Sequence, residues 1–211
     1  MIKKHWWKIA LLAAIVLLVV SFYYAKRAEE RANEGVVVSV RSIGPSEARV
    51  VLVEYSDFQC PACAQFSPYV KEILQDHGTQ IRLEYRHYPL INIHPYAIPA
   101  AIAAEAAGVQ GKFWEMHDKL FENQNAWSRA ANPHPFFVQY AGELGLDVEK
   151  FKRHLGSSLI ADAIEKSYAE AQSRGLSSTP SFLLNGEVME FKTFDEFRQQ
   201  IEAAIRSAGK Q

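Results

Sequence analysis

The feature that most constrains this chain is the tetrapeptide Cys60-Pro61-Ala62-Cys63, which holds both of its cysteines. No cysteine is left for a structural staple, so a disulfide-dense scaffold is excluded and the fold must rest on an apolar core. The chain has 211 residues, 48% of them hydrophobic, enough for one sizeable domain or a small one with an insertion. A formal net charge of -1 gives no electrostatic reason to expect nucleic acid as a partner. An isolated CxxC is a redox dithiol, a structural bridge or half a metal site. A closed zinc site takes roughly four ligands, yet His77, His87, His94, His117, His134 and His154 are scattered without ligand spacing and read mostly as surface or helix-face residues. A bridge across so short a loop removes little unfolded-state entropy. The redox reading is favoured, with a metal-binding carrier kept as the distant alternative.

Residues 1–34 read as a targeting segment. Lys3, Lys4 and Lys8 precede an apolar run from Ile9 to Val20, flanked by Trp6 and Trp7 on one side and by Phe22, Tyr23 and Tyr24 on the other. From Trp6 to Ala25 the segment suits a bilayer-crossing helix with aromatic belts. A cleaved signal peptide is the rival, but Val19-Val20-Ser21 makes a poor cleavage site with bulky aromatics behind it. Lys26, Arg27 and Arg31 weaken the positive-inside count. A lone dithiol on an export segment nevertheless belongs outside the cytosol. The expectation is a single-pass cell-membrane anchor with the remaining domain on the extracytoplasmic side, and residues 26–33 as a helical spacer.

Beyond Gly35 the hydrophobic period sets an α/β order. Val36–Val40 is a β-branched run suited to a strand, and Gly44-Pro45 breaks it. Val50-Val51-Leu52-Val53 predicts a strand buried on both faces, the CxxC opens a helix to about Asp76, and Ile81–Tyr88 alternates as a half-buried strand. From His94 to Arg174 the period is helical, with Phe113, Met116, Leu120 and Phe121 on one face and Leu159, Ile160, Ala163, Ile164 and Tyr168 on another. Breaks fall at residues 132–135 and Gly145, and Phe113, Trp114, Phe121 and Trp127 read as packing residues rather than a cofactor box. Asn185-Gly186 between Ser181–Leu184 and Glu187–Met189 is a hairpin signal. Thr193 with Glu196 forms a capping box before the stripe Phe194, Phe197, Ile201, Ile205. The chain divides as anchor and spacer 1–34, first half-domain 35–93, helical insertion 94–174 and second half-domain 175–211.

The motif's position on its helix makes the two cysteines unequal. Pro61 suits the first helical position, which makes Cys60 the N-cap and Cys63 a first-turn residue. A Cys60 thiolate can accept from free backbone N–H groups at the positive end of the helix dipole, which lowers its pKa. Cys63 shares a stripe with Phe66, Val70 and Leu74, and burial there raises its pKa. Cys60 is expected to be exposed and nucleophilic, and Cys63 buried and resolving, the division that disulfide exchange requires.

The stretch Glu54-Tyr55-Ser56-Asp57-Phe58-Gln59-Cys60-Pro61-Ala62-Cys63 resembles the active-site segment of DsbA-like thioredoxin-fold proteins. Thr179-Pro180 resembles the family's cis-proline loop, Pro68 falls where such proteins kink the active-site helix, and the match covers nearly everything after Gly35. Taken alone, Glu54 reads as a strand-end surface carboxylate, Pro180 as an ordinary trans proline and Thr179 as a turn residue. The resemblance implies a thioredoxin-like α/β fold with an inserted helical domain, which the apolar run read above precedes with a single N-terminal transmembrane helix. It implies catalysis by Cys60 and Cys63, with Glu54 as a buried acid relaying the Cys63 proton, and substrate backbone held at Thr179 and Pro180. It calls for no cofactor beyond the redox-active pair itself. Partners would be exported polypeptide substrates and a membrane redox partner. A monomer is expected, because Lys26 to Ser46 is too short for a dimerisation domain. Dithiol oxidation is the favoured direction. Pro61-Ala62 lacks the histidine of the family's best-known strong oxidants, so a reductase or isomerase stays the alternative.

Overall fold

The computed structural model describes residues 6–209. Its first element, α1 (Trp6–Ala32), is long and apolar enough to cross a membrane, with mean hydropathy 2.2 over its best window and none of that window buried in the protein. The charged spacer continues the same helix, whose end is fastened to the domain. Asn33 Nδ2 donates to Ser158 Oγ at 2.9 Å, Ser157 Oγ donates to Asn33 Oδ1 at 2.8 Å, and Ser158 Oγ donates to Glu29 Oε1 at 3.1 Å.

The apolar runs after it form one five-stranded sheet of β1 (Arg41–Ile43), β2 (Val50–Ser56), β3 (Ile81–His87), β4 (Ser181–Leu184) and β5 (Glu187–Val188), in the order β1-β3-β2-β4-β5. β2 and β3 are parallel, joined through α2 (Pro61–His77), and the other pairings are antiparallel. This βαβ crossover places the end of β2 directly before the N-terminus of α2, where the cysteines lie. α2 runs through Pro68 to His77. The β4–β5 turn has Asn185 at φ 52° and Gly186 at φ 92°, as an Asn-Gly hairpin demands. Gly44 is obligatory in another way. It sits at φ 101°, and a Cβ there would collide with the Ile81 carbonyl.

Residues 36–40 depart from expectation, because the first strand is only Arg41–Ile43. Val36 is buried and Val38 partly buried in the helical core, while Val37 is 75% exposed. The segment must travel from the fastened end of α1 to the sheet edge. Val36 and Val38 gain burial against helices instead of ladder pairing with β3.

Between β3 and β4 stand α3 (Ala97–Gly108), α4 (Phe113–Glu122), α5 (Gln124–Trp127), α6 (His134–Glu143), α7 (Val148–His154) and α8 (Ser158–Ser173). α3 is alanine-rich and buried along nearly its whole length, so its neighbours can approach closely around it. Phe113, Met116, Leu120, Phe121 and Trp127 pack into that core. Leu159, expected on a packed face, is 44% exposed. Residues Ile160 and Ile164 of α8 carry its burial instead. α9 (Phe194–Ala208) closes the opposite core, with Phe197, Ile201 and Ile205 against Leu52, Leu83 and Phe182. Each such side chain contributes about 1.5–3 kcal/mol of burial. Thr193 caps α9 by accepting from Glu196 N at 3.1 Å. The Glu196 carboxylate reaches back to Lys192 N at 2.7 Å rather than to the Thr193 amide.

Candidate active site

Cys60 is the N-cap of α2, in extended backbone, with Pro61 behind it at the first helical position. Both cysteines are free thiols. Cys63 is fully sealed, as its stripe predicts, but Cys60 is only 7% exposed. The expected contrast in exposure is therefore a contrast of degree, because the Thr179 loop folds over the first sulfur. Cys60 Sγ donates to Thr179 O at 3.4 Å, and the Thr179–Pro180 peptide is cis. As a neutral thiol Cys60 makes no helix-capping hydrogen bond. As a thiolate it is held chiefly by the Cys63 thiol. Against the opposing cost of burial, the Thr179 side chain and the amides of Cys63 and Ala62 add to that, bringing its pKa down to about 5. Burial, followed by the neighbouring Cys60 sulfur, pushes Cys63 well above the usual thiol range. One sulfur is set to be an anion and the other to hold a proton.

Beneath Cys63 the sheet supplies polar groups. Glu54, read from sequence alone as a surface carboxylate, is 2% exposed, and burial raises its pKa against the opposing field of His117. Strand alternation puts Ser56 on the same face, and register pairs Glu54 with Tyr85 of β3. Thr179 Oγ1 is buried without a hydrogen-bond partner and faces the Cys60 sulfur. Glu54, Cys60, Cys63, Thr179 and Pro180 thus converge on one spot from β2, α2 and the turn before β4.

Three residues that frame this spot carry no mark in the CxxC motif. Asp57, 2% exposed, accepts from Gln59 N at 2.7 Å and Leu90 N at 2.9 Å, and contacts His94 Nδ1 at 2.7 Å. Its Asx turn onto Gln59 is the one local signal that could have singled it out. Gln59 Oε1 accepts from Tyr96 N at 2.7 Å. Gln124 Nε2 donates to Phe58 O at 2.8 Å and Cys60 O at 2.9 Å, so the helical insertion grips the active-site loop from above. Nothing in the sequence marks Gln124, since its partners are backbone carbonyls of a distant loop.

Clefts flank α2 and the Thr179 loop. One of about 520 Å³ is lined by Gln59, Pro61, Gln65, His94, Gln124 and Arg129. Another of about 550 Å³ is lined by Tyr88, Leu90, Ile91, Ile93, Tyr168 and Leu176. Of the histidines expected to be mostly surface or helix-face residues, His87, His117 and His154 are buried. His87 lies on the sheet, where Nε2 meets Glu105 Oε1 at 3.0 Å.

A CxxC at the start of the crossover helix, a cis-proline loop against its first sulfur and a helical insertion between two halves of the sheet define a thioredoxin fold of the DsbA type. The family model described as Thioredoxin matches residues 37–203, and the chain belongs to that family. A thioredoxin-like oxidoreductase from Silicibacter pomeroyi DSS-3 superposes with a TM-score of 0.67 at 26% identity, covering 86% of this chain and 98% of that one. BdbD from Bacillus subtilis gives 0.70 at 24% identity, covering 82% of this chain and 95% of that one. In sequence, a Salinispora tropica protein named Na(+)/H(+) antiporter NhaA 3 is 45% identical over 143 residues, 68% of this chain and 21% of the relative. Na(+)/H(+) antiporter NhaA from Herminiimonas arsenicoxydans is 38% identical over 143 residues, 68% of this chain and 22% of the relative. The chain spans about a fifth of the length of the curated relatives it matches.

Proposed function

We propose that this chain is a thiol–disulfide oxidoreductase that donates its Cys60–Cys63 disulfide to exported polypeptides, held at the membrane by α1 with the domain on the extracytoplasmic side. The observation that carries the reading is the geometry at the head of α2, where Cys60 caps the helix 3.4 Å from the Thr179 carbonyl of the cis-proline loop and Cys63 is sealed beneath it. The lowered Cys60 and raised Cys63 pKa values support it. In the oxidising direction a substrate thiolate attacks Cys60 Sγ and forms a mixed disulfide. The Cys60–Cys63 bond breaks, and Cys63 leaves as a thiolate and takes up a proton. A second substrate thiolate then attacks the substrate sulfur and expels Cys60 as a stable thiolate. The substrate loses two electrons and two protons, of which one proton ends on Cys63 and one in solvent. A low Cys60 pKa stabilises the reduced product and so favours oxidation of the substrate.

Substrate backbone would lie across Thr179, whose carbonyl and hydroxyl face Cys60, and Pro180, with no cofactor beyond the cysteine pair. Glu54 would exchange the Cys63 proton. Reoxidation would fall to a membrane redox partner, and the catalytic unit would be a monomer. The apolar length of α1 supports anchoring, and relatives named as antiporters carry the matched domain within membrane proteins, which fits a membrane setting.

The test is the equilibrium of the full-length chain, in detergent, against glutathione redox buffers. A potential toward about −120 mV supports disulfide donation, and one near about −270 mV turns the assignment to a reductase. Absence of reversible exchange refutes the enzyme reading.

A further inference from the structure

The exchange reading asks Glu54 to trade a proton in each turnover, yet Glu54, Ser56 and Tyr85 are all sealed, at 2%, 1% and 2% exposure. Ser56 Oγ stands between Glu54, Tyr85 and Cys63 and interacts with all three, so these side chains form one polar pocket beneath the second sulfur. A carboxyl so enclosed needs an ionisable neighbour that reaches solvent.

Two histidines pack edge-on against Tyr85, each with its ring centroid 5.3 Å away. His87 is committed elsewhere, because its Nε2 is on Glu105 at 3.0 Å and Glu105 is also gripped by Arg41. His117 of α4 is different. It is 7% exposed, wedged against Phe58 and Phe121 at centroid distances of 5.7 and 4.9 Å. Its Nδ1 lies 3.0 Å from Asp118 Oδ1, and Asp118 Oδ2 accepts from Lys71 Nζ of α2 at 2.6 Å. Asp118 and Lys71 have side chains 36% and 53% exposed, so this line of groups opens to water in the seam between α2 and α4. Tyr85 of β3 meets the His117 ring directly and pairs in register with Glu54 of β2, which brings Glu54 within reach of the imidazole's field. Asp118 from the same helix as His117 and Lys71 of α2, through Asp118, lie on the outer side. Tyr85 is raised well above the phenol range by burial and by Glu54, so it stays neutral there.

We propose that His117 is a positioning residue that exchanges protons between solvent and the buried Glu54, with Asp118 and Lys71 as the outer end of the route. The proposal rests on the exchange reading above. When the Cys60–Cys63 bond breaks, the proton taken by the Cys63 thiolate comes from Glu54. His117 then returns one to Glu54 and is itself recharged from water along Asp118. In the reverse direction Glu54 accepts the Cys63 proton as that sulfur attacks Cys60, and His117 drains it outward. The helical insertion thereby contributes to proton traffic as well as to packing.

The experiment uses the full-length chain with His117→Gln and His117→Phe, and with Asp118→Asn as a surface variant that leaves the core intact. Two rates are read against pH: alkylation of reduced Cys60, and single-turnover closure of a glutathione mixed disulfide by Cys63. The expected result is closure slowed about tenfold or more by either His117 variant, and less by Asp118→Asn. Cys60 alkylation should keep its parent pH midpoint, and added free imidazole should restore part of the closure rate. Parent-like closure across pH in the His117 variants and in Asp118→Asn overturns the proposal alone. Slowed closure accompanied by a shifted Cys60 midpoint and no imidazole rescue assigns His117 to packing and also overturns it. A parent chain that exchanges no disulfide with glutathione overturns the exchange reading, and the proposal with it.

Discussion

Replacing Cys63 by alanine isolates the interaction on which the reactivity of Cys60 most depends. The Cys63 thiol is the leading reason that Cys60 sits at about 5, ahead of Thr179 and the helix amides, with burial opposing them. A hydrogen bond to a charged group contributes about 1.5–3 kcal/mol. At about 1.4 kcal/mol per pKa unit, its loss moves the Cys60 midpoint up by about one to two units. At neutral pH the parent is then almost wholly thiolate, while the variant retains a substantial thiol fraction. The assay is the ultraviolet absorbance of the thiolate against pH, paired with the iodoacetamide reaction rate, on reduced parent, Cys63→Ala and Cys63→Ser. The serine variant keeps a donor and should shift less than alanine. Circular dichroism confirms that each variant is folded. A Cys63→Ala protein that still titrates at the parent midpoint would refute the reasoning and move the stabilisation to Thr179 and the helix terminus.

Four further outcomes follow from the same structure. Since the folded pKa of Cys60 lies below its unfolded value, the reduced fold gains stability that is complete above about pH 9 and lost as pH falls through about 5. The reduced-minus-oxidised stability difference should therefore grow by about 3 kcal/mol from below pH 5 to pH 7 in denaturant melts, and a flat difference would contradict it. Glu54 has a raised pKa, so its contribution is full below 4.5 and lost as pH rises through the folded value. Glu54→Gln should accordingly stabilise the fold by about 1–3 kcal/mol at pH 8 and by little at pH 4, read as urea midpoints. Gln124→Ala removes both donors to the active-site loop and should cost about 1–3 kcal/mol, and an unchanged melting temperature would deny the clamp. Glu105→Ala strands Arg41 and His87 and should cost about 3–5 kcal/mol in chemical denaturation, far more than loss of the exposed Lys112–Glu115 pair.

Much of the fold was legible because short-range rules governed it. The β2 run, the Pro61 helix start, the Asn185-Gly186 turn and the Thr193 cap each depend on neighbours in sequence. Residues 36–40 escaped such rules, because Val36 and Val38 found burial on helices far along the chain. The sealing of Cys60 escaped for a related reason, since Thr179 lies 119 positions away. The family resemblance, rather than the residues around Glu54 and Pro180 themselves, pointed to a buried acid and a cis bond.

The sequence by itself determined the chemistry on offer: two cysteines on one helical turn, no other sulfur for a staple, a membrane-length apolar helix, and an α/β order with a helical interlude. Those are properties of spacing and composition, which no packing can alter. Only the tertiary structure decided how that chemistry is poised. It buried Glu54 beneath the cysteines, laid the Thr179 carbonyl on Cys60, brought Gln124 to hold the loop, and set His117 between the core and the Asp118–Lys71 surface. Desolvation and hydrogen-bond geometry arise only when distant segments share one interior, so the pKa values that separate a reactive sulfur from an inert one are written in three dimensions.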